Sequence, residues 1–482
     1  MNPNWLATFA LALWPAVAVL LYQTRPLGRA TIWTILGAQL VLPVDVFLKL
    51  AQGIPQLDKV SIPNLAALLG CILYARPRLR LWKGLGLAEA LLLMYVIGPF
   101  ITSELNGDPV RFGPLTLPAV GHYDALSAAV AELIFLLPFF LARDILTRAS
   151  DNEDILRALV IAGLCYSLPM LFEIRMSPQL NLWIYGYYPS DFVQAVRGGG
   201  FRPMVFMGHG LAVAFFTMTT VVAAAALWRI RVRILQLSGT IAAYLGAVLI
   251  LCKSFGPLVY AAVLVPLVRW TSPGIQLRVA TCLVMLVLSY PLLRAADLVP
   301  TTSILDVANS IDKARAASLK FRFDNEERLL KRASERLWFG WGRFGRGRYY
   351  DVQTGRDLST TDGEWIIRLG TFGLFGFAAE FGLLALSVFR AAAALRYASS
   401  MREGILMSAL ALIVTVYLIN MIPNASFNPW VWLISGALLG RSENMRAAAH
   451  HYRLAQFKIG TASASHGLGT RRIGIRSRPQ GE

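Results

Sequence analysis

Thirteen stretches of this chain are apolar enough, and most of them long enough, that a water-soluble core could not absorb them. They lie near residues 5–22, 31–48, 61–75, 85–103, 125–142, 155–172, 204–228, 239–252, 255–270, 279–293, 365–389, 405–422 and 430–440. A membrane-crossing helix needs about 20 mostly apolar residues, with about 17–25 usual. The third and last runs are short, which leaves tilted spans and re-entrant segments both open for them. The whole chain agrees with the runs. Of its 482 residues 56% are hydrophobic and 15% charged, against roughly 45–50% and 25% in soluble domains. The first run, Trp5–Tyr22, can span and has no basic segment before it, so it is expected to be a span and not a cleavable signal.

The net charge is +18. In a soluble protein that would suggest nucleic acid, but no nucleic-acid-binding motif is present. The Lys and Arg residues instead sit in every second connection: Arg25 and Arg29; Arg76, Arg78, Arg80 and Lys83; Arg143 and Arg148; Arg229, Arg231 and Arg233; Arg269 and Arg278; Arg390, Arg396 and Arg402; and the tail from Arg441. Basic short loops stay cytoplasmic, so this alternation predicts thirteen spans with the N-terminus outside. The expected fold is an all-α polytopic membrane protein of 12–13 transmembrane helices. Residues 1–293 hold helices with short loops, 294–364 one large extracytoplasmic helical loop, 365–440 further spans, and 441–482 a basic cytoplasmic tail. Beyond about 455 the tail is expected to be disordered. Cys71, Cys165, Cys252 and Cys282 lie in or beside apolar runs with no metal-ligand spacing, and are expected to be small buried hydrophobes.

The chemistry is expected at the outward connections. In the large loop a helix from about 324 to 337 is predicted, with Asp324 as cap, Glu327 completing a capping box, and Leu329, Leu330, Ala333 and Leu337 as its apolar stripe. Arg328, Arg332 and Arg336 would then share one face. Arginine's planar fork binds phosphate oxygens, although a solvated face explains such a stripe equally well. Gly340-Trp-Gly-Arg-Phe-Gly345 has the spacing of a nucleotide loop but not its strand–helix context; tight turning near a substrate or membrane surface is the better reading. Asp362 and Glu364 precede the next span, as a general base or as caps. Arg197 and Arg202 flank a glycine run, Lys253 sits in a short outward turn, and His209 is expected one turn inside the 204–228 span, where a histidine is costly. Asp45, Lys49, Glu89, Glu132, Glu173 and Glu380 are near predicted helix ends and are read as snorkelling or interfacial.

Taken in order, these elements resemble the O-antigen ligase and polysaccharide polymerase superfamily. The resemblance rests on Arg322-Phe-Asp-Asn-Glu-Glu-Arg328 running to Trp338-Phe-Gly-Trp-Gly342, on Thr361-Asp-Gly-Glu-Trp365 running to Gly373-Leu-Phe-Gly376, and on the Arg197–Gly210 stretch. It implies a GT-C-like membrane glycosyltransferase in a bacterial inner membrane, with the loop periplasmic. The donor would be a polyprenyl-diphosphate-linked glycan, polymerised onto a glycan acceptor, beside a flippase and a chain-length regulator. Arg322, Arg328 and Glu364 with Asp362 would be catalytic. Arg197, Arg202, Arg332, His209 and Lys253 would hold the diphosphate. Asp362, or alternatively His209 or Glu364, would take the acceptor's proton. No metal or other cofactor is expected, since arginines supply the charge. Family ligases usually carry His-Asn where this chain has Asp362-Gly363, which favours polymerase over ligase. A transporter of lipid-linked oligosaccharide is the rival outside the class.

Overall fold

A computed structural model of the chain describes residues 3–469 apart from 50–55, 76–78, 80–82, 85, 198, 235–238, 312 and 426–427. Arg76, Arg78, Arg80 and the tail from residue 470 lie outside the described residues. Each apolar run becomes a helix. In chain order these are α1 (Trp5–Thr24), α2 (Leu27–Val41), α3 (Ser61–Tyr74), α4 (Leu87–Glu104), α5 (His122–Ile145) and α6 (Ala149–Met176). A short α7 (Leu180–Tyr185) lies between them and α8 (Gly210–Arg229), α9 (Gly239–Leu251), α10 (Phe255–Trp270) and α11 (Pro273–Ala295). The large loop holds α12 (Thr301–Ile311) and α13 (Lys313–Ser334); α14 (Glu364–Ala394), α15 (Met401–Asn420) and α16 (Pro429–Gly469) follow. Among the described residues, eight helices are long and apolar enough to cross a membrane by length and composition; α3, α9 and α10 are apolar but shorter.

The helices alternate in direction, and ion pairs collect the charged connections at one end. Arg143 at the end of α5 pairs with Glu89 at the start of α4 (2.9 Å) and with Glu443 of α16 (2.6 Å). Arg402 reaches Glu153 of α6 (2.8 Å) and Arg29 reaches Asp154 (2.9 Å). This is the basic end. Three two-stranded hairpins and the large loop occupy the other: β1 (Phe47–Leu48) with β2 (Leu57–Asp58), β3 (Val110–Phe112) with β4 (Leu115–Leu117), and β5 (Val196–Arg197) with β6 (Gly200–Phe201), all antiparallel.

Helices α15 and α8 form the centre, with 94% and 89% of their apolar stretches buried, whereas α1 and α11 are peripheral at 28% and 33%. The outward side chains of the rim, such as Leu69, Ile250, Val263 and Leu286, are large and apolar, as a helix facing lipid requires. Gly436 and Gly440, one turn apart on α16, lie against the backbone of α5 at Phe139 and Arg143, where any Cβ would overlap a carbonyl. This is the small-xxx-small packing of membrane helices.

Several expectations are corrected. The loop helix begins at Lys313, so Asp324 is exposed mid-helix and caps nothing, and Arg336 lies beyond its end. The 31–48 run stops being helical at Val41, and α8 starts at Gly210. The tail continues as helix past 455, to Gly469. Cys165 and Cys282 face outward while Cys71 and Cys252 are buried. Glu89, Glu132, Glu173 and Glu380 do not snorkel. Glu89 pairs with Arg143. Glu173 is fully buried and accepts backbone N–H groups from Leu180 (3.0 Å), Met204 (2.8 Å) and Val205 (2.8 Å), which fixes the chain entering α8.

The centre of α14 is broken. Gly373 takes φ 66° and ψ −164° inside it, a region only glycine occupies readily. The loop segment after α13 fills the break. Trp341 N donates to Gly370 O (2.8 Å), Gly342 N to Thr371 O (2.9 Å), Leu374 N to Leu337 O (2.8 Å) and Phe375 N to Trp338 O (3.1 Å). The glycines of 340–345 therefore serve a joint between loop and membrane helix. Twelve residues along a straight helix would separate Arg368 from Glu380 by about 18 Å; the bend brings them into an ion pair. Arg368 also binds Glu364 (3.0 Å) and Glu132 of α5 (2.5 Å), and Tyr95 of α4 donates to Glu380 at 3.4 Å.

Candidate functional site

The connections at the loop end enclose a cavity of about 640 Å³. The α2–α3 connection supplies Asp45, Asp58 and Lys59; the approach to α8 supplies Gln194 and His209; α13 supplies Arg322; the start of α14 supplies Thr361 and Asp362; and the α15–α16 connection supplies Asn424 and Asn428. A second, largely apolar crevice of about 60 Å³ adjoins it between α11, α13 and α14, walled by Leu319, Phe323, Leu329, Ile366 and Ile422. Arg322 and Asp362 line both spaces.

Arg322 is held at this boundary from two sides. Its Nη1 donates to Pro423 O at 3.0 Å, and its Nε lies 3.6 Å from Asp362 Oδ2. Both side chains stay about a third exposed, at 33% and 38%, so the guanidinium retains donors for a ligand. Asp362 thus stands beside the cation that an anionic group would seek.

His209 caps α8. Its Nδ1 accepts from Leu211 N (3.1 Å) and its Nε2 lies 3.0 Å from Gln194 Oε1. An amide oxygen only accepts, so the imidazole is the neutral Nε2–H tautomer and neither nitrogen is left to take a proton. Burial lowers its pKa, as do the charges of Arg202, Arg197 and Arg322, which keeps it neutral. Arg202 is buried behind it and donates to Ser254 Oγ (2.8 Å), while its Nε finds no partner among the described residues. Lys253 Nζ donates to Arg197 O at 3.2 Å, tying the β5–β6 hairpin to the α9–α10 turn. Arg197, Arg202 and Lys253 are therefore an outer cationic layer and do not line the cavity.

Three expected site residues stand elsewhere. Arg328 is exposed on α13 and lines neither space. Arg332 stacks on Trp341, 3.3 Å from the ring centre, and pairs with Glu335 at 2.5 Å; with Arg336 on the same ring at 4.4 Å it forms a cation–π stack, not a phosphate cradle. Glu364 is fully buried against Arg368, out of reach of the cavity. Arg346, fully buried, donates to the carbonyls of Trp341 (3.0 Å), Asp108 (2.8 Å) and Pro118 (2.7 Å) and anchors the loop.

The cavity also contains Lys59 and Asp58, which sequence reasoning passed over, and Asp45, which it read as snorkelling or interfacial. Lys59 is 6% exposed, and its Nζ donates to Leu42 O (2.8 Å) and Phe206 O (2.6 Å). Burial draws its pKa down to about 7, against the opposing field of Asp45. Asp58 Oδ1 is occupied by Val60 N (3.0 Å), Ser61 N (2.8 Å) and Ser61 Oγ (2.8 Å), so it secures the start of α3. Asp45 has φ 55° and makes no hydrogen bond among the described residues. The one available signal was that these three polar residues share a connection between spans. No group of three or more metal-ligating side chains is found among the described residues. No family model matches the chain, and no curated protein matches it.

Proposed function

We propose that the chain is a membrane glycosyltransferase that polymerises polyprenyl-diphosphate-linked oligosaccharide repeat units, working at the outer face of a bacterial inner membrane. The observation that carries this reading is the position of Arg322. It stands where a polar, carboxylate- and amide-lined cavity meets an apolar crevice beside the peripheral helix α11. A lipid-linked glycan has that order of chemistry: sugar, then diphosphate, then hydrocarbon. The amides and carboxylates suit sugar hydroxyls, the arginine suits the diphosphate, and the crevice suits the first isoprene units. As the bond from the anomeric carbon to the phosphate oxygen breaks, Arg322 stabilises the charge gathering on the diphosphate. Asp362 orients the guanidinium. The neutral His209 and the arginines behind it keep that wall electropositive.

The test is the length and attachment of surface glycans in a strain lacking the protein, with wild type and Arg322→Ala restored separately. Collapse to single repeat units, restored only by wild type, is the expected result; loss of one such charge contact lowers turnover by about 10²–10³-fold. Long glycans left on the polyprenyl carrier would indicate a ligase. Unchanged glycans would refute glycosyl transfer.

A second reading rests on the Arg368 cluster. Three carboxylates around one guanidinium inside the membrane domain are the kind of ionisable group that proton-coupled transport uses. A requirement for a proton gradient without a new glycosidic bond would favour export of the lipid-linked oligosaccharide.

A further inference from the structure

Transfer of a sugar requires a group that removes the proton from the attacking hydroxyl. In a direct displacement that hydroxyl approaches the anomeric carbon on the side away from the leaving diphosphate. The site described above contains five acidic or basic candidates besides the arginine, and their contacts sort them. Lys59 is buried, with its Nζ committed to Leu42 O and Phe206 O. His209 has both nitrogens engaged. Asp58 has one oxygen filled by three donors from its own turn. Asp362 sits 3.6 Å from Arg322, on the leaving-group wall. Asp45 is on a different wall, the α2–α3 connection, and among the described residues its carboxylate has neither an ion pair to an arginine nor a hydrogen-bond donor.

Two further features set Asp45 apart. It is exposed within the cavity, so a ligand hydroxyl can reach it. It also sits in the left-handed region at φ 55°, which aspartate adopts more readily than most residues. The turn is braced from outside: Tyr187 donates to Val44 O, Gly208 packs on Val44 so closely that a Cβ would come within 3.0 Å of it, and Lys59 anchors the connection through Leu42 O and Phe206 O. Asp45 lines the cavity together with Asp58, Lys59, His209, Arg322 and Asp362, and its charge is felt by Lys59 and Tyr187.

We propose, on the strength of the glycosyltransferase reading, that Asp45 is the general base of the reaction. The acceptor O–H bond breaks and its proton passes to the Asp45 carboxylate. The hydroxyl oxygen forms the new bond to the anomeric carbon. The bond from that carbon to the phosphate oxygen breaks, its electron pair stays on the diphosphate facing Arg322, and the proton later leaves Asp45 for water.

Asp45→Asn tests this cleanly, because asparagine tolerates the left-handed region and keeps the side chain's size. Two readouts are taken on full-length protein in nanodiscs: binding of undecaprenyl diphosphate, and glycan transfer with lipid-linked oligosaccharide extracted from cells lacking the protein. Asp45→Asn is expected to bind undecaprenyl diphosphate within about twofold of wild type while transfer falls about 10²–10⁴-fold, and its residual activity should lose the acid limb of the wild-type pH profile. Asp45→Glu should recover part of the rate. Transfer by Asp45→Asn within about threefold of wild type overturns the proposal, as does an equal loss from Asp45→Asn and Asp45→Glu with an unchanged pH profile, which marks a structural role. If wild type binds the diphosphate but forms no glycosidic bond, the glycosyltransferase reading itself fails, and that result is distinct from either.

Discussion

Replacing Gly373 by alanine should separate the large loop from the membrane domain. The position has φ 66° and ψ −164°, and an L-residue held there costs about 1–3 kcal/mol. The added methyl also has no room, since it would overlap the carbonyl carbon of Trp338 and the amide of Phe339. Those atoms belong to the loop segment that supplies four backbone hydrogen bonds across the break. Each contributes about 0.5–1.5 kcal/mol net. If the segment retreats and two of the four are lost, the total is about 2–6 kcal/mol, a large share of the roughly 5–15 kcal/mol that holds a domain together. Hydrogen exchange is the direct assay. The amides of Trp341, Gly342, Leu374 and Phe375 should lose protection together in Gly373→Ala, and the thermal transition should fall. Gly246→Ala is the control, since nothing lies within 4 Å of the Cβ it would gain. Protection unchanged at those four amides in Gly373→Ala would refute the idea that the glycine is required by the joint.

Two more outcomes follow from buried charge. Arg368→Met leaves Glu132, Glu364 and Glu380 around a vacant centre; stranding buried charge costs about 3–5 kcal/mol, so the thermal transition in detergent should drop, and adding Glu380→Gln to Arg368→Met should restore part of it. Lys59 titrates at about 7 when folded, against 10.5 for an ordinary lysine, so between those values the unfolded chain binds more protons. Stability should therefore rise with pH from about 7 to about 10.5, by up to about 5 kcal/mol, and be insensitive to this group below that window. Lys59→Met should flatten the rise in thermal unfolding measured across that window, and an equal rise in the variant would exclude Lys59 as its source.

Apolar run length and the alternation of basic connections were legible from residue order alone, because spanning a hydrocarbon layer imposes a length and a composition on each segment independently of its neighbours. That is why all thirteen runs reappear as helices, and why the basic residues described gather at one end. Gly436 and Gly440 carry a legible packing signal too, in a spacing of four on an apolar helix. Arg322 and Asp362 stood out by their place in the outward loop, His209 by its expected place inside a span, and the three line one cavity.

What residue order could not decide was which polar side chains already have partners. Arg328, Arg332 and Arg336 have the spacing of a ligand-binding stripe, yet Trp341 folds back between Arg332 and Arg336 and consumes their faces. Glu364 stands two residues from Asp362, but half a helical turn rotates it onto Arg368. Glu132 and Glu380 look interfacial by distance from their helix ends until the break at Gly373 draws them to one guanidinium. Asp45 looks interfacial, and Lys59 an ordinary loop charge, until the α2–α3 connection closes over the cavity. For Glu132 and Lys59 the determining contact joins segments distant in the chain, whereas Glu364 is taken by Arg368 four residues on and Arg332 and Arg336 by Trp341 of the same loop. In all of them the direction a side chain takes in the folded structure, and not residue spacing alone, settles whether a charge is spent on structure or left open to a ligand.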